Sequence, residues 1–573
     1  MCARLGSQTI RMRGIDTMSA SSKKRLRKEL AAEMLTEKQR QEKKEAKKLK
    51  AMTISFVAIM LVIAIVFSVV LVDNGINRSG YFQKKTIAAT VNKQDMNSVQ
   101  VNYYLTDYIK NLYSTWQSQY GENLNVMLGF MGMDGNKPLN KQDYDKEKGT
   151  TWADYYLGEA LSKAKSDLAL YAKAVTEGFK LSDDEQKAMD SNLSMINLYA
   201  QLYGYKNADK FLQATYGYGS TLESYTEYTK ISTIASAFYS KYSADLKYDD
   251  AAIRGYEKGK ENNFTSFTYA TYTLTADDFL PETADGENKK EPTAEETAAA
   301  LKKAEEAINS LKDATNLDDL NKQIGALEIN KDSKDPVTSI SKTDLLYPQV
   351  PANLQKWLAD KARLENEITV IAEESTSKDK DGKEVKTVDG YTVVLFQKRN
   401  ENLNKLANVR HLLVAFEGGS TATDGSKTYS DAEKTKAKTE AEKLLKEWES
   451  GKKTEESFIE LVKKHTKDDA SKETGGLYED IHPKSSYVPN FLNWCIDSNR
   501  KVGDTGIIQS EYGYHIMYFS SFDELTYRDY MIREEMRTND VDAWYNKTLE
   551  GTSTSVGETK YLNMDIVLAN LGS

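Results

Sequence analysis

The chain has 573 residues, 40% of them hydrophobic and 28% charged, enough for several domains, each with its own core. Its net charge of −9 divides unevenly: residues 1–50 hold fifteen Lys and Arg against six Asp and Glu, leaving −18 for the rest. Nothing in that pattern points to a nucleic acid partner, and two cysteines, Cys2 and Cys495, exclude a disulfide-built scaffold.

The basic head, residues 1–50, reads as a cytoplasmic tail that is helical over 23–50. From Met52 to Val72 no residue is charged. At about 1.5 Å per residue that run is about 30 Å long, the depth of a bilayer's hydrocarbon core. Seven Lys and Arg stand in the fifteen residues before it and three in the fifteen after it. The bias predicts a transmembrane helix over 51–72, with the N-terminus cytoplasmic and the bulk of the chain outside the cell membrane. A cleaved signal peptide would have a shorter apolar core and a small-residue cleavage site, and neither is present. No Cys after the run offers a lipid attachment point. The lipid bilayer is thus an expected partner, and residues 73–87 read as a linker.

Residues 88–260 carry helical periodicity, with segments near 99–119, 152–178, 183–203, 207–215 and 221–246. Ser182 to Glu185 and Ser220 to Glu223 have the spacing of capping boxes, in which side chains satisfy the first free N–H groups of a helix. Tyrosine is abundant, 35 in the chain. It suits either a surface that grips apolar chains or packing between helices.

At Phe264 the period changes to two, predicting a strand over 264–274. A polar stretch from Thr275 to Thr293 holds Pro281, Gly286 and Pro292 and reads as a surface insertion. Helices follow at 294–314 and 317–325, then a strand at 390–399. The same plan returns further on. NVRHLLVAF (408–416) is a strand with His411 at its centre, followed by helices at 432–449 and 455–464. A Gly475-Gly476 turn, a short helix at 489–495 and the strand YGYHIMYF (512–519), carrying His515, complete it.

Four of these motifs, RHLLV, KDDASKETGG, YVPNF and YGYHIMYF, in this order over about 115 residues, resemble the parvulin peptidyl-prolyl isomerases. The resemblance implies a parvulin domain over 405–522 with His411, Asp468 and His515 as catalytic residues. It likewise implies Tyr487, Phe491 and Ser510 as substrate-binding residues: Phe491 as the floor of a proline slot, Tyr487 where Met is frequent, Ser510 at the rim. The residue types suit the chemistry. Rotation about an X–Pro bond faces about 18–20 kcal/mol because amide resonance is lost. A catalyst needs only to bind the twisted amide better than the planar one, with an apolar slot and polar groups around the carbonyl. Two histidines on neighbouring strands also serve simply as a core hydrogen bond. No cofactor is expected, and no third ligand accompanies the pair to make a zinc site. His465 and His482 read as surface residues, and Cys495 as a small packed side chain. The sequence departs from the family where GGLYED replaces the usual Gly-Gly-Asp-Leu-Gly and where Tyr487 replaces Met.

The two strand-containing regions also align with each other. YATYTL (269–274) matches VRHLLV, placing Thr271 opposite His411. GYTVVLF (390–396) matches GYHIMYF, placing Thr392 opposite His515. VPANLQKW (350–357) matches VPNFLNW, placing Leu354 opposite Phe491. Residues 264–399 therefore read as a degenerate parvulin-like domain. The expected architecture is α+β and multidomain: a transmembrane helix, a mostly helical chaperone region at 88–260, and two parvulin-like α/β domains in tandem. Residues 523–573 would add a helix (527–549) and a strand-like end (561–568) that pack on the helical region. This plan resembles the PrsA, SurA and PpiD foldases, which implies unfolded, newly exported polypeptides as clients. A homodimer is left open. The alternative function is a holdase that uses parvulin folds only to grip clients.

Overall fold

The computed structural model describes residues 75–280, 292–378, 382–421 and 427–571, with the isolated positions 21, 24 and 60. The expected membrane span, 51–72, lies outside the described residues apart from Met60. No helix among the described residues is long and apolar enough to cross a membrane. Chain contacts divide the protein into two units, one comprising the chain to Tyr242 with Tyr545–Ser573, the other Ser243–Trp544.

In the first unit a hairpin precedes the helices. Strands β1 (Ile87–Val91) and β2 (Gln94–Asn97) turn through Asn92 and Lys93, both in the left-handed region that a tight hairpin requires. Asn97 then caps α1 (Ser98–Tyr120) in a reciprocal box with Gln100. Helix α2 (Trp152–Thr176) opens on an equivalent box between Thr151 and Asp154. Between α1 and α2, Val101, Leu105, Tyr156, Leu157, Ala160 and Leu161 form the centre of the unit's core. Helices α3 (Asp183–Leu202), α4 (Ala208–Tyr216) and α5 (Leu222–Asp245) follow. The box at Ser182–Glu185 caps α3 as the spacing predicts. The second expected box is displaced by one residue. Helix α5 begins at Leu222, so Thr221 is its cap and accepts from the Ser224 N–H at 3.2 Å.

Tyrosines pack between these helices. Tyr103, fully buried, meets the rings of Tyr216, Tyr225 and Tyr228. The hydroxyls of Tyr216 and Tyr228 donate to Asp107 at 2.7 and 2.9 Å, and burial raises the pKa of that carboxyl. The chain ends differently from the sequence expectation. The late strand is Thr554–Val556, paired with β1 through Ala89 and Val556, and 561–568 is not a strand. The backbone of β1 offers a free edge there, which the 554–556 segment takes.

The second unit holds two four-stranded antiparallel sheets. The first is formed by β3 (Ser266–Thr275), β4 (Ile340–Leu346), β5 (Ile368–Lys378) and β6 (Glu384–Asn400) in the order β4-β3-β6-β5. Helices α6 (Ala294–Asn309) and α7 (Leu317–Ala326) cover one face through Ala304, Ile308 and Leu320. Helix α8 (Ala352–Leu358) covers the other through Leu354 and Leu358.

The second sheet is formed by β7 (Lys405–Ala415), β8 (Leu477–Ile481), β9 (Thr505–Gln509) and β10 (Gly513–Thr526), in the order β8-β7-β10-β9. Helices α9 (Asp431–Glu449) and α10 (Glu455–His465) take one face, with Leu412, Ile516 and Tyr518 beneath them. Helix α11 (Pro489–Cys495) takes the other, over Val409, Met517 and Phe519. The alternation of these residues along β7 and β10 is what period two requires of a sheet buried on both sides.

The two sheets share more than strand order. His411 stands opposite Met517 and Leu413 opposite His515. In the first sheet Thr271 stands opposite Val394 and Thr273 opposite Thr392, the same register. After the second sheet comes α12 (Tyr527–Leu549). At its start, buried Arg528 pairs with Glu257 at 2.5 Å, and Asp529 pairs with Arg254.

Candidate functional site

The site forms where the face of the second sheet carrying odd-numbered residues of β7 and β10 meets α11. On that face His411 and His515 project side by side, 3% and 7% exposed. Their Nδ1 atoms lie 3.1 Å apart. The Nε2 of His411 lies 3.0 Å from Asp468 Oδ2, and the Nε2 of His515 lies 2.8 Å from Ser510 Oγ. Four of the six residues named from sequence thus form one hydrogen-bonded chain.

With both rings neutral, the protons have one arrangement. The Asp468 carboxylate can only accept, so His411 donates from Nε2 and leaves Nδ1 bare. His515 must then donate from Nδ1, which leaves its Nε2 to accept from the Ser510 hydroxyl. The direction runs from Ser510 through His515 and His411 to Asp468.

The carboxylate end is heavily served. The Ser471 hydroxyl donates to Asp468 Oδ2, and the Tyr478 hydroxyl does so at 3.2 Å. The His411 hydrogen bond, aided by Ser471 and Tyr478, holds the Asp468 carboxyl well below the usual carboxylate range. Burial, reinforced by the neighbouring His411, pulls His515 down to about 4. Burial and the Asp468 charge push Tyr478 up to about 12, so it remains a donor.

The apolar side is aromatic. Phe491, 3% exposed on α11, presents its ring edge-on to both histidines, at centroid distances of 5.4 Å from His411 and 5.5 Å from His515. Tyr487 lies 5.3 Å from Phe491 and 5.5 Å from Tyr478. All six residues named from sequence therefore gather at one place. Tyr478 and Ser471 were missed. Tyr478 pairs with Val409, which puts it on the histidine face, two residues after Gly476.

The Gly-Gly turn is needed for a steric reason. Gly476 has φ +74°, its carbonyl accepts from the His411 N–H at 2.9 Å, and a Cβ on it would lie 2.2 Å from the His411 carbonyl oxygen. Gly476→Ala is expected to cost about 1–3 kcal/mol from the backbone conformation alone, plus the clash. A fall in the melting temperature of the purified chain checks this.

The depressed His515 value carries a sign. Its folded pKa, about 4, lies below the ordinary 6.5, so the unfolded chain binds the proton more readily. The resulting stability is present above pH 6.5 and is lost as pH falls toward 4, amounting to about 3 kcal/mol. Asp468, also depressed, adds a loss at still lower pH. The gap in urea midpoint between wild type and His515→Asn should therefore narrow from pH 7 to pH 4.5. A constant gap would contradict the assignment.

Two surface assignments need correction. His482 is half-buried and stacks on Tyr527, centroids 4.4 Å apart, because α12 lies against its segment. His465 is also partly buried, at the end of α10. Cys495 is packed inside as its small apolar character suggests, and burial pushes its thiol up to about 12. Among the described residues no group of three His, Cys, Asp or Glu is placed to hold a metal ion.

In the first sheet Thr392, at the position of His515, carries different chemistry. Its hydroxyl is 2.6 Å from that of Thr273, which stands at the position of Leu413, and it donates to Glu373. Glu373 also accepts from Asn353 at 3.0 Å. Among the described residues of this sheet no imidazole takes part, and from the strands the carboxylate of Glu373 is reached through a hydroxyl alone.

Residues 411–521 match the rotamase family, described as the PPIC-type PPIase domain. No curated protein sequence matches the chain. Among solved structures, PrsA from Bacillus anthracis, a peptidylprolyl isomerase, is 22% identical over 26% of this chain and 59% of its own, with a TM-score of 0.17. This chain thus spans 59% of the length of that structure. PrsA from Bacillus subtilis is 13% identical over 72% of this chain and 93% of its own, TM-score 0.27. A Campylobacter jejuni structure described as a SurA-like chaperone is 11% identical over 64% and 82%, TM-score 0.14. The sequence motifs and the family match fall on the same stretch, residues 411–521, which is similar to the PPIC-type rotamase domain.

Proposed function

We propose that the chain is a membrane-anchored foldase that isomerises X–Pro bonds in exported polypeptides, using residues 405–522. The observation that carries this reading is the directed chain Ser510–His515–His411–Asp468 beside the Phe491 ring. The proline ring would seat against Phe491 and Tyr487. As the amide twists, its carbonyl loses resonance and becomes a stronger acceptor. A polar network held in place by the sheet and by Asp468 favours that state over either planar one without reorganising. No bond is made to the protein and no proton need be transferred. Uncatalysed isomerisation takes tens of seconds, long enough to limit folding.

The remaining parts take supporting roles in this reading. The apolar run at 51–72, with its basic flank, would hold the protein to the membrane and leave residues after 72 on the outer side. Residues 88–260 would hold unfolded clients. Residues 264–399, with Thr271 and Thr392 in the histidine register, would bind chain without isomerising it. Residues 523–573 would complete the helical region.

One observation favours the holdase reading. Phe491 is 3% exposed, with Tyr487 and Tyr478 against it, so the slot must open to admit a ring. The test is protease-coupled isomerisation of a proline tetrapeptide series by the full chain, beside folded His411→Ala and His515→Ala variants. Activity that falls in the variants supports the enzyme. A folded but inactive wild type, across all residues before proline, supports the holdase.

A further inference from the structure

The matched rotamase segment ends at residue 521, yet one wall of its site is braced by α12, which begins at Tyr527. Tyr487, against the Phe491 ring, closes a short turn that starts at His482. The His482 N–H donates to Ser485 Oγ at 3.0 Å, the Ser485 N–H to the His482 carbonyl at 2.9 Å, and the Tyr487 N–H to the Ser485 carbonyl at 2.9 Å. The position of His482 therefore sets that of Tyr487.

His482 is in turn held by α12. Its ring stacks on Tyr527 at 4.4 Å with an interplanar angle of 17°, and against Tyr530 at 4.7 Å. Two residues earlier, Asp480 pairs with Arg533 at 2.7 Å, and the Arg533 guanidinium lies over the Tyr530 ring at 5.4 Å. Tyr527, Tyr530 and Arg533 recur every three residues, so they present one face of the helix. Tyr487 and Tyr530 also line one cleft of about 420 Å³, together with Glu534 and Arg537 of α12.

We propose that Tyr530 is a positioning residue for the isomerase site, holding Tyr487 through His482 and so setting how tightly the proline slot closes. The inference rests on the isomerase reading above. Tyr530 touches neither Phe491 nor the histidine chain, so its loss should weaken substrate seating and leave the polar network intact. The cleft it shares with Tyr487 is also where a client side chain flanking the proline would lie, so the preference for the residue beside proline should move with it.

The experiment uses the full chain and a proline tetrapeptide series. Tyr530→Ala should raise KM about fivefold to tenfold, hold kcat within about twofold and alter the order of preferred peptides. Tyr530→Phe, which keeps the stacking ring, should restore the wild-type values. His482→Asn, which keeps an acceptor for the Lys484 N–H but removes the ring, should reproduce the KM effect even if Tyr530→Ala does not fold. A folded Tyr530→Ala or His482→Asn with unchanged KM and peptide order would overturn the proposal while leaving the isomerase reading standing. If the wild type binds these peptides without catalysis, the isomerase reading fails, and the same variants are judged by Kd. A fivefold or greater weakening then supports Tyr530, and an unchanged Kd overturns it. A wild type that neither turns over nor binds the peptides overturns both.

Discussion

Asp468→Ala is expected to lower kcat/KM for X–Pro isomerisation by roughly 10- to 100-fold while leaving the sheet folded. Asp468 is the terminal acceptor of a chain that runs through two buried imidazoles. Removing it leaves the His411 Nε2–H without a partner, and a buried donor stranded in this way costs about 1–3 kcal/mol. The ring can avoid that cost only by changing tautomer or rotating. Rotation breaks the Nδ1 contact with His515, and a change of tautomer keeps it only if His515 changes too, which reverses the chain and turns Ser510 from donor to acceptor. Asp468→Asn retains an acceptor oxygen but no charge, so its loss should be smaller. Single-point kcat/KM values for the two variants and His411→Ala check the order. If Asp468→Ala and His411→Ala act through one network, the double variant should be little worse than the worse single one. Simple addition of the two effects would show that they act separately.

Phe491→Ala should give the largest effect on stability, about 3–5 kcal/mol, the usual range for removing a core aromatic. The ring is 3% exposed and packs among Val409, Met517, Phe519 and the two histidines. Deleting it leaves a cavity that α11 cannot fill, because Trp494 and Cys495 fix the helix to the sheet further along. Isomerase activity should disappear at the same time, since the floor of the slot is gone. Phe491→Leu separates the two consequences: it keeps most of the packed volume but no aromatic face. Urea unfolding gives the stability difference, and a Phe491→Ala chain within 1 kcal/mol of wild type would show the ring to be peripheral.

What was legible in the sequence follows from which signals are local. Strands β3, β6, β7 and β10 were readable because period two and β-branched content are properties of short runs. His411 and His515 were readable as a pair because the motifs around them fix their place on neighbouring strands. Thr271 and Thr392 were expected at the positions of the two histidines, and the register of the two sheets runs the same way.

Strands β4, β5, β8 and β9 were not legible. They are flanking strands, short or polar, and their pairing is decided by the central strands they meet. Tyr478 was not legible because its place on the histidine face is set by pairing with Val409, a contact between distant segments. Helix α12 itself was expected, but its contact with the second sheet was not legible, since stacking of Tyr527 on His482 joins segments that share no pattern. The cap of α5 was one residue out because Ser220 and Thr221 are both competent caps. Only the start of the helix decides between them.

The most direct test of the central claim is exchange spectroscopy on a proline peptide mixed with the full chain, which reads cis–trans interconversion without a coupled protease. The account predicts exchange cross-peaks for the wild type on a timescale of a second or less, with the exchange rate at matched enzyme concentration lowered at least about tenfold in Asp468→Ala and His515→Ala chains that still fold. Binding shifts without exchange in the wild type would contradict it, and would identify the second sheet as a surface that grips proline-containing chain without turning it.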